Sequence, residues 1–436
     1  MSAVDDFLRK VLRSGLLDRE QLQTSLRTLA KARREDVAAI TDHLIGQAKL
    51  TRFQAYKISQ GITTGLTLGQ YHILAPLGRG GMGTVYLAWD ARTKHYVALK
   101  ILPPKVAREE ERLLARFQRE MELSQKVQHP HLARTIAAGI YQKIHFIAME
   151  YIPGQTMYRL VMTKGPLPVA RAARLFAEVA LALGQAHRQG VIHRDMKPSN
   201  IMVTPHDHAK VLDLGLAFTE GEVVEDIEVV GGKGYIVGSI DYMAPEQTHD
   251  STDIDGRADL YALGCCMYFA LTGKPPFPEG TLHGKVRAHR HEEPAPIRGK
   301  NPEVPEAFAA IVHKLLSKNP AERYASATDL AGALASWRGG GLPLETPNDA
   351  VFQEAVKKLL DSWTAPEPTA KETQEDSVLF QIDEDDKPAP TEVLSRSIFG
   401  EIDRIQPQVW ILAIVALWLV LMMGCLLGAC VFALMR

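Results

Sequence analysis

Residues 193–200, HRDMKPSN, decide the fold, together with the triplet 213–215, DLG, which follows at the distance that a hairpin spans. The two motifs bring two carboxylates, a lysine and an asparagine close together in the chain. Either motif alone occurs by chance in many proteins. Here both belong to an ordered series that also contains a glycine-rich loop, a lysine on an apolar strand and the triplet 244–246, APE. This order makes the pattern specific.

The glycine-rich loop, 78–85 (GRGGMGTV), lies between two strand-like runs, 71–77 and 84–89. A dinucleotide-binding fingerprint needs a helix after its glycines, and a P-loop needs Gly-Lys-Ser or Gly-Lys-Thr, so neither alternative fits. Glycines let backbone amides approach the phosphates of a nucleotide, because no Cβ stands in the way. Taken alone the loop is weak evidence, since an ordinary glycine hairpin has the same pattern.

Lys100 lies on the next apolar strand, 97–100, seventeen residues after Gly83. A lysine on a buried strand requires an anionic partner. The phosphates of a nucleotide and a carboxylate on the following helix are the natural partners. The candidate carboxylates are Glu110, Glu111, Glu120 and Glu122.

The apolar pattern changes once along the central part of the chain. Within 71–150 short β-branched runs dominate, interrupted by one helical stretch, 108–127. After Gly154 the apolar residues mostly recur with the period of a helix, as in 169–189 and 258–271. We therefore predict an α+β fold of two lobes, first strand-rich and then helical, with a cleft between them.

Residues 71 to about 337 resemble a bacterial eukaryotic-type (Hanks-type) serine/threonine protein kinase of the mycobacterial-type receptor kinase group, because these motifs occur in the kinase order. The resemblance implies the bilobal protein kinase fold. It also implies transfer of the γ-phosphoryl group of ATP to serine or threonine hydroxyls of proteins, with autophosphorylation. The implied cofactors are ATP and Mg²⁺, with Mn²⁺ as an alternative ion, and the implied partners are protein substrates.

The resemblance assigns roles to the residues of the two central motifs. Asp195 accepts or orients the proton of the substrate hydroxyl, and Lys197 contacts the transferring phosphoryl group. Asn200 and Asp213 hold the magnesium ion. These are the groups that the chemistry needs, since a hard cation prefers oxygen ligands and developing negative charge needs a cation nearby.

The resemblance also selects a partner for Lys100. Glu120 lies nine residues before His129-Pro130, a spacing similar to that in the corresponding helix of bacterial kinases. Met149 resembles the gatekeeper, and the backbone from Glu150 to Ile152 resembles the hinge that binds adenine, although an amphipathic strand end stays open as the alternative. The predicted ATP-binding residues are Leu77, Gly78, Arg79, Gly80, Gly81, Met82, Gly83, Thr84, Val85, Ala98, Lys100, Met149, Glu150 and Ile152.

Structural and regulatory residues of the family also have counterparts. Glu246 is expected to lie buried against Arg323, and Asp259 is expected to brace the backbone of the catalytic loop. In similar kinases an arginine at the position of Arg194 pairs with a phosphate on the activation loop.

The activation segment is unusual. The range 220–237 contains no serine or threonine but five carboxylates, and Thr219 and Ser239 flank it. One hypothesis is that an acid of this range occupies the pocket of Arg194 and replaces loop phosphorylation. A solvated acidic loop and phosphorylation of Thr219 are the alternatives.

Two other function classes are alternatives to an active protein kinase. A pseudokinase scaffold would bind nucleotide or partners without phosphoryl transfer, but such proteins usually lack part of the set Lys100, Asp195, Asn200 and Asp213, which is intact here. A small-molecule kinase would lack the peptide-positioning segment, which is present as 238–243.

The parts outside the kinase-like region are predicted from composition and periodicity. Residues 1–66 have the apolar spacing of a helical module. The linker 338–408 contains an amphipathic helix, 346–363, that could dock on the kinase or on a partner, followed by an acidic disordered tether. Residues 409–435 contain no charge and exceed the ~20 residues that a membrane-spanning helix needs.

Composition and the two ends of the chain indicate where in the cell the protein is expected. The 436 residues carry a formal charge of −1, which does not favour binding to nucleic acid. The four cysteines show no disulfide framework or zinc spacing, which fits a reducing compartment. Because the N-terminus lacks the pattern of a signal peptide, we expect a cytoplasmic kinase domain with a single membrane span near the C-terminus. Dimerisation through Gly424 and Gly428 stays open beside chance placement of these glycines.

Overall fold

The structure is a computed structural model that describes residues 2–80, 83–102, 107, 111–123, 126–212, 218–219, 240–248, 254–339 and 349–365. All of these residues belong to one compact unit, Met1–Thr391, and the second unit, Glu392–Arg436, contains none of them. Nearly all of the predicted tether and the whole predicted span 409–435 therefore lie outside the described residues. No helix within the described ranges has both the length and the apolar character needed to cross a bilayer.

Four helices form the N-terminal part of the chain. Three of them begin at capping boxes, in which Ser2, Asp18 and Thr51 exchange hydrogen bonds with the residue three positions later. These bonds satisfy N–H groups that a helix leaves unpaired at its start. The helices are α1 (Ala3–Arg13), α2 (Arg19–Arg27), α3 (Val37–Gly46) and α4 (Arg52–Ser59).

A six-stranded antiparallel sheet follows the helices. Its strands are β1 (Thr67–Leu68), β2 (Tyr71–Gly80), β3 (Gly83–Asp90), β4 (His95–Leu102), β5 (Thr135–Tyr141) and β6 (Ile144–Glu150). They are arranged in the order β1-β2-β3-β4-β6-β5. Helix α5 (Glu111–Leu123) lies between β4 and β5 in the chain. The described residues of this part thus form a strand-rich lobe with a helix, as the sequence predicts.

The two faces of the sheet have different neighbours, because side chains alternate along a strand. On β4, Val97, Leu99 and Ile101 are buried in one hydrophobic cluster with the N-terminal helices. The alternate residues Ala98 and Lys100 belong to the other face, where α5 lies. The helical module and the sheet thus share one core, on the face opposite to Lys100. The helices contribute Phe7, Val11, Ile40, Leu44, Phe53 and Ile58 to this core, among others.

The second lobe is mainly helical. Its elements are β7 (Gln155–Thr156), α6 (Met157–Lys164), α7 (Val169–Arg188), β8 (Val191–Ile192), β9 (Ile201–Val203), β10 (Ala209–Val211), β11 (Phe218–Thr219), α8 (Arg257–Thr272), α9 (Leu282–His291), α10 (Ile297–Lys300), α11 (Glu306–Leu315) and α12 (Ala327–Ala335). Every residue of α8 from Ala258 to Leu271 is buried, so this helix lies at the centre of the lobe. Strands β8 and β9 flank the segment 193–200, and β9 pairs with β10.

The last described helix is α13 (Asp349–Ser362), which comes from the predicted linker. The ring of Trp363, just after α13, lies 5.4 Å from the ring of Phe53 on α4. At the other end of the helix, the ring of Phe352 lies 6.1 Å from that of Tyr96 and 5.7 Å from that of Tyr151. The sequence left two partners open for this helix, and in the structure it docks on the N-terminal module and the strand-rich lobe.

Candidate active site

A buried ion pair joins the sheet to α5. The Nζ atom of Lys100 lies 2.8 Å from Oε1 and 2.6 Å from Oε2 of Glu120. The two side chains are only 4% and 1% exposed, so water does little to screen the pair. Glu120 follows Phe117 at helical spacing, and both are buried on the same face of α5. Glu122, a competing candidate from the sequence, is exposed.

The segment between β8 and β9 brings three polar side chains together. Lys197 donates a hydrogen bond from Nζ to Oδ2 of Asp195 at 2.6 Å. Asn200 donates from Nδ2 to the backbone oxygen of Asp195 at 2.8 Å. All three side chains are partly exposed, so they can meet a molecule in the cleft. The arrangement offers a carboxylate, a cation and an amide oxygen within one loop.

Asp259 of α8 holds the backbone of this loop. Its carboxylate is buried and accepts hydrogen bonds from the N–H of His193 at 2.9 Å and from the N–H of Arg194 at 2.8 Å. The Nε2 atom of His187 lies 2.7 Å from the same carboxylate. Burial acts to raise the pKa of Asp259, but the bonds and charges of His187 and His193 outweigh it and keep the pKa below its usual value. Asp259 therefore stays ionised inside the lobe.

The backbone of Arg194 has a conformation that the loop must enforce. Its φ angle is +60°, in the left-handed region that L-residues other than glycine rarely adopt. Asp259 binds the N–H of this residue, and Gln247 donates from Nε2 to its carbonyl oxygen at 2.9 Å. Both sides of the strained peptide are thus held by other elements of the lobe.

The chain returns to this loop just before the predicted metal ligand Asp213. The N–H of Leu212 donates to the carbonyl oxygen of Asn200 at 2.8 Å. The Nε2 atom of His193 lies 3.2 Å from the carbonyl oxygen of Leu212. Asp213 itself is outside the described residues, but its immediate neighbour is bonded to the other predicted metal ligand.

The predicted adenine side lies at the end of β6. Met149 is opposite Ala98 in the register of β4 and β6. The side chain of Glu150 accepts from Nζ of Lys210 at 2.6 Å and from the N–H of Arg134 at 2.9 Å. The N–H of Glu150 also donates to the carbonyl oxygen of Arg134 at 2.9 Å, so both the side chain and the N–H of this residue are bound within the protein.

The glycine-rich loop is the hairpin between β2 and β3. Residue pairs Gly78 with Val85, Arg79 with Thr84, and Gly80 with Gly83 lie opposite each other. Gly83 has a φ angle of +147°, and a Cβ on it would collide with the carbonyl oxygen of Ile101. Glycine is therefore required here for close packing of the hairpin on β4. Gly81 and Met82, at the tip, lie outside the described residues.

A second ion pair lies in the helical lobe and joins Arg323 to Glu246. Arg323 binds both carboxylate oxygens of Glu246, with Nη1 at 2.6 Å and Nη2 at 2.9 Å. Such two-pronged pairs combine charge with fixed geometry. The same guanidinium also donates to backbone oxygens, including that of Arg257 at 2.8 Å. The end of the activation segment is thereby fixed to the lobe.

Comparisons with known proteins agree with this geometry. Residues 71–333 match the family model described as the protein kinase domain. The chain belongs to the protein kinase family. The bilobal kinase fold predicted from the sequence is confirmed by this match and by the crystal structure of the Mycobacterium tuberculosis PknI kinase domain. That structure is 27% identical, covers 64% of this chain and 99% of its own, and has a TM-score of 0.50.

Curated relatives are bacterial serine/threonine-protein kinases. One is pkn3 of Myxococcus xanthus, 38% identical over 265 residues, which are 59% of this chain and 48% of pkn3. Another is PknB of Mycolicibacterium smegmatis, 34% identical over 278 residues, which are 63% of this chain and 44% of PknB. A third is PknD of Mycobacterium tuberculosis, 37% identical over 268 residues, which are 61% of this chain and 39% of PknD. The chain therefore spans less than half the length of each of these relatives.

Some predicted residues of this kinase lie beyond what the structure describes. The range 220–237 is among them, so the hypothesis of an acid in the Arg194 pocket stays a prediction. Thr219 has a described backbone, paired with Val191 in β11 and β8. The site residues outside the description are Gly81, Met82, Asp213 and Ser239.

The sequence analysis missed three residues that support the kinase site. Lys210 binds Glu150, Gln247 binds the carbonyl of Arg194, and His187 binds Asp259. Lys210 carried the same signal as Lys100, a lysine between apolar residues on a short strand. Gln247 and His187 carried no signal, because neither belongs to a motif quoted above, and their partners are 53 and 72 residues away in the chain.

Proposed function

We propose that this chain is an ATP-dependent serine/threonine protein kinase that phosphorylates proteins, itself included. The observation that carries the proposal is the joint presence of the buried Lys100–Glu120 pair and the Asp195, Lys197 and Asn200 cluster. A scaffold that only binds nucleotide would not need the second group. The three curated relatives named above, which are serine/threonine-protein kinases, support the same activity.

The proposed reaction uses the loop residues directly. The oxygen of a serine or threonine hydroxyl attacks the γ-phosphorus of ATP, the bond from that phosphorus to the oxygen of ADP breaks, and the hydroxyl proton passes to Asp195. Lys197, already 2.6 Å from this carboxylate, offsets negative charge on the transferring group. Positioning and charge stabilisation, rather than covalent catalysis, then account for the rate.

The residues present also fit a divalent metal ion. Asn200 turns its amide nitrogen towards Asp195, which leaves Oδ1 for a hard cation, and the carboxylate of Asp213 follows Leu212 in the chain. A Mg²⁺ ion held by Asn200 and Asp213 would offset the negative charge of the phosphates during transfer. Lys100, held by Glu120, then contacts the α- and β-phosphates.

The adenine base is proposed to bind the end of β6. The cleft face of the sheet carries Ala98 and Met149, and the backbone from Glu150 to Ile152 supplies donors and acceptors. The glycine-rich hairpin covers the phosphates.

Membrane attachment is a further part of the proposal. The uncharged segment 409–435 is long enough to span a bilayer, and ATP requires the kinase domain to face the cytoplasm. The full-length protein should remain in the membrane pellet after alkaline carbonate washing. Release into the supernatant would contradict the span.

The central experiment compares the full-length protein in detergent micelles with its Asp195→Asn variant. Both are incubated with magnesium and ATP, and phosphosites are mapped by mass spectrometry. Loss of the catalytic carboxylate should lower incorporation on the order of 10²- to 10⁴-fold. Lys300→Ala, which changes an exposed lysine of the helical lobe, is the matched control and should retain wild-type incorporation.

The outcomes separate the two function classes. Incorporation that depends on Asp195 supports the kinase and shows whether Thr219 or Ser239 is modified. No incorporation in either protein, together with retained ADP binding, would contradict the kinase and favour the scaffold. Equal incorporation in both would assign the phosphate to a contaminating enzyme.

A further inference from the structure

Helix α13 makes aromatic contacts at both of its ends. Phe352 meets Tyr96 and Tyr151 near its start, and Trp363 meets Phe53 and Tyr56 just after its end. Eleven residues of helix span roughly 16 Å. The helix therefore reaches from the end of β6 to the N-terminal module.

The face of the sheet that Phe352 meets can be identified from β4. The side chain of Lys100 turns towards Glu120 of α5, so the cleft face of β4 carries residues 100, 98 and 96. Tyr96 therefore lies on the nucleotide side of the sheet, two residues before Ala98. Its ring also packs against Trp89, opposite it on β3, at 4.9 Å.

The second contact of Phe352 is in the hinge. Tyr151 directly follows Glu150, and the two aromatic rings of residues 151 and 352 meet edge to face, at 77°. Burial raises the pKa of Tyr151 and of Tyr96, as expected of phenols that a neighbouring helix shields from water. Phe352 thus lies where the hinge and the cleft face of the sheet meet.

The hinge is held from two sides. Lys210 and the N–H of Arg134 bind the side chain of Glu150. Phe352 packs on the side chain of the next residue, Tyr151. Between them, these contacts restrain the short backbone segment that the proposed function assigns to adenine.

We propose that α13 is a working part of the nucleotide site, in which Phe352 positions the hinge backbone at Tyr151 to receive the adenine of ATP or ADP. This inference rests on the proposed function. Phe352 acts through Tyr151 and is a positioning residue, not a catalytic one. The helix between the kinase lobes and the tether would then set nucleotide affinity.

The test uses the full-length protein and a Phe352→Ala variant. Each aromatic contact corresponds to roughly a 2- to 12-fold factor in an equilibrium constant. Loss of both contacts should raise the KM for ATP and the Kd for ADP about 5-fold or more, with kcat at saturating ATP within about 2-fold. KM and kcat come from substrate phosphorylation, and Kd comes from calorimetric titration with ADP and magnesium.

Controls distinguish positioning from general damage. Gln353→Ala changes the exposed neighbour of Phe352 on the same helix and should leave KM and Kd unchanged. Phe352→Tyr restores the ring and should restore wild-type values. Should Phe352→Ala not fold, Phe352→Leu keeps an apolar side chain without the ring and should still raise the Kd for ADP by at least 2-fold.

Three results would overturn the inference: unchanged KM and Kd in Phe352→Ala, equal changes in Gln353→Ala, or a lower kcat with an unchanged KM. The ADP titration needs no phosphoryl transfer. If the wild-type protein bound ADP but showed no Asp195-dependent phosphorylation, the kinase proposal would fail while the titration still decided the role of α13.

Discussion

The sheet that carries Lys100 and the loop that carries Asp195 are held in different ways. The sheet is backed by an apolar core that it shares with the N-terminal helices, through residues such as Phe53. The loop is held by hydrogen bonds, among them two to the buried carboxylate of Asp259. Apolar cores tolerate changes of shape and volume, whereas hydrogen bonds to an ionised group are short and impose a specific geometry. We therefore expect substitutions in the shared apolar core to lower the free energy of unfolding, and substitutions that disturb the loop to lower kcat.

The largest expected effect is on stability and follows from Phe53→Ala. Phe53 is 3% exposed and packs against Tyr86 and Trp363. Truncating a buried phenylalanine should lower the free energy of unfolding by about 3–5 kcal/mol, through lost burial and the cavity that remains. Urea unfolding followed by fluorescence measures this loss.

The same variant tests whether the apolar core is separate from catalysis. At a temperature where Phe53→Ala stays folded, kcat should remain within about 3-fold of wild type, since Lys100 and Glu120 lie on the opposite face of the sheet. Arg52→Ala, on the exposed neighbouring position, should change neither quantity. If kcat fell as far as it does in Asp259→Asn, the apolar core would not be separate from catalysis.

The next effect is on catalysis and follows from Asp259→Asn. The carboxylate of Asp259 accepts one of its two hydrogen bonds from the loop with each oxygen, whereas an amide has one oxygen and one NH₂ group. In the variant, the buried N–H of either His193 or Arg194 therefore loses its acceptor. The loop should shift, and a displacement of about 1 Å lowers kcat on the order of 10²-fold. Steady-state phosphorylation at saturating ATP measures it, and the Kd for ADP should change little. Retention of wild-type kcat would show that the loop needs no carboxylate.

A smaller effect is the pH dependence of stability, which a buried histidine of the helical lobe causes. Burial, together with the charge of Lys318, lowers the pKa of His289 to about 3. The unfolded chain binds a proton near pH 6.5, so the folded state is favoured above that pH and loses stability as the pH falls towards 3. By pH 5 the loss is about 2 kcal/mol relative to pH 7.

The control for this effect is His289→Gln, which keeps an acceptor near the hydroxyl of Tyr261, 2.9 Å from Nδ1 of His289. Urea unfolding at pH 7 and pH 5 should show a smaller drop in this variant, by about 2 kcal/mol. An equal drop in both proteins would mean that another group carries the pH dependence.

Short-range patterns in the sequence predict which residues form the candidate site. The motif 193–200 concentrates its chemistry within eight residues, and the spacing of Glu120 before His129-Pro130 pointed to the glutamate that the structure pairs with Lys100. In both cases the information is local. The family match confirms the fold that these motifs implied.

The packing of the outer parts was not predictable in the same way. The alternation along β4 shows that Val97 and Leu99 share a face, but not that the N-terminal helices cover it. The apolar positions of α13 predict an amphipathic helix, while its partners Tyr96 and Phe53 lie more than 250 residues earlier in the chain. Contacts between residues so far apart in the chain produce no regular spacing in the sequence.

The shared core of the module and the sheet has a consequence for how the protein is made. The first 66 residues leave the ribosome about 80 residues before β6 is complete, a delay of roughly 4–16 s at 5–20 residues per second. During that time α4, which contacts β2 in the finished protein and carries the fully buried Ile58, has no sheet to pack against. The side of α4 that packs against β2 is therefore exposed to water until the sheet forms.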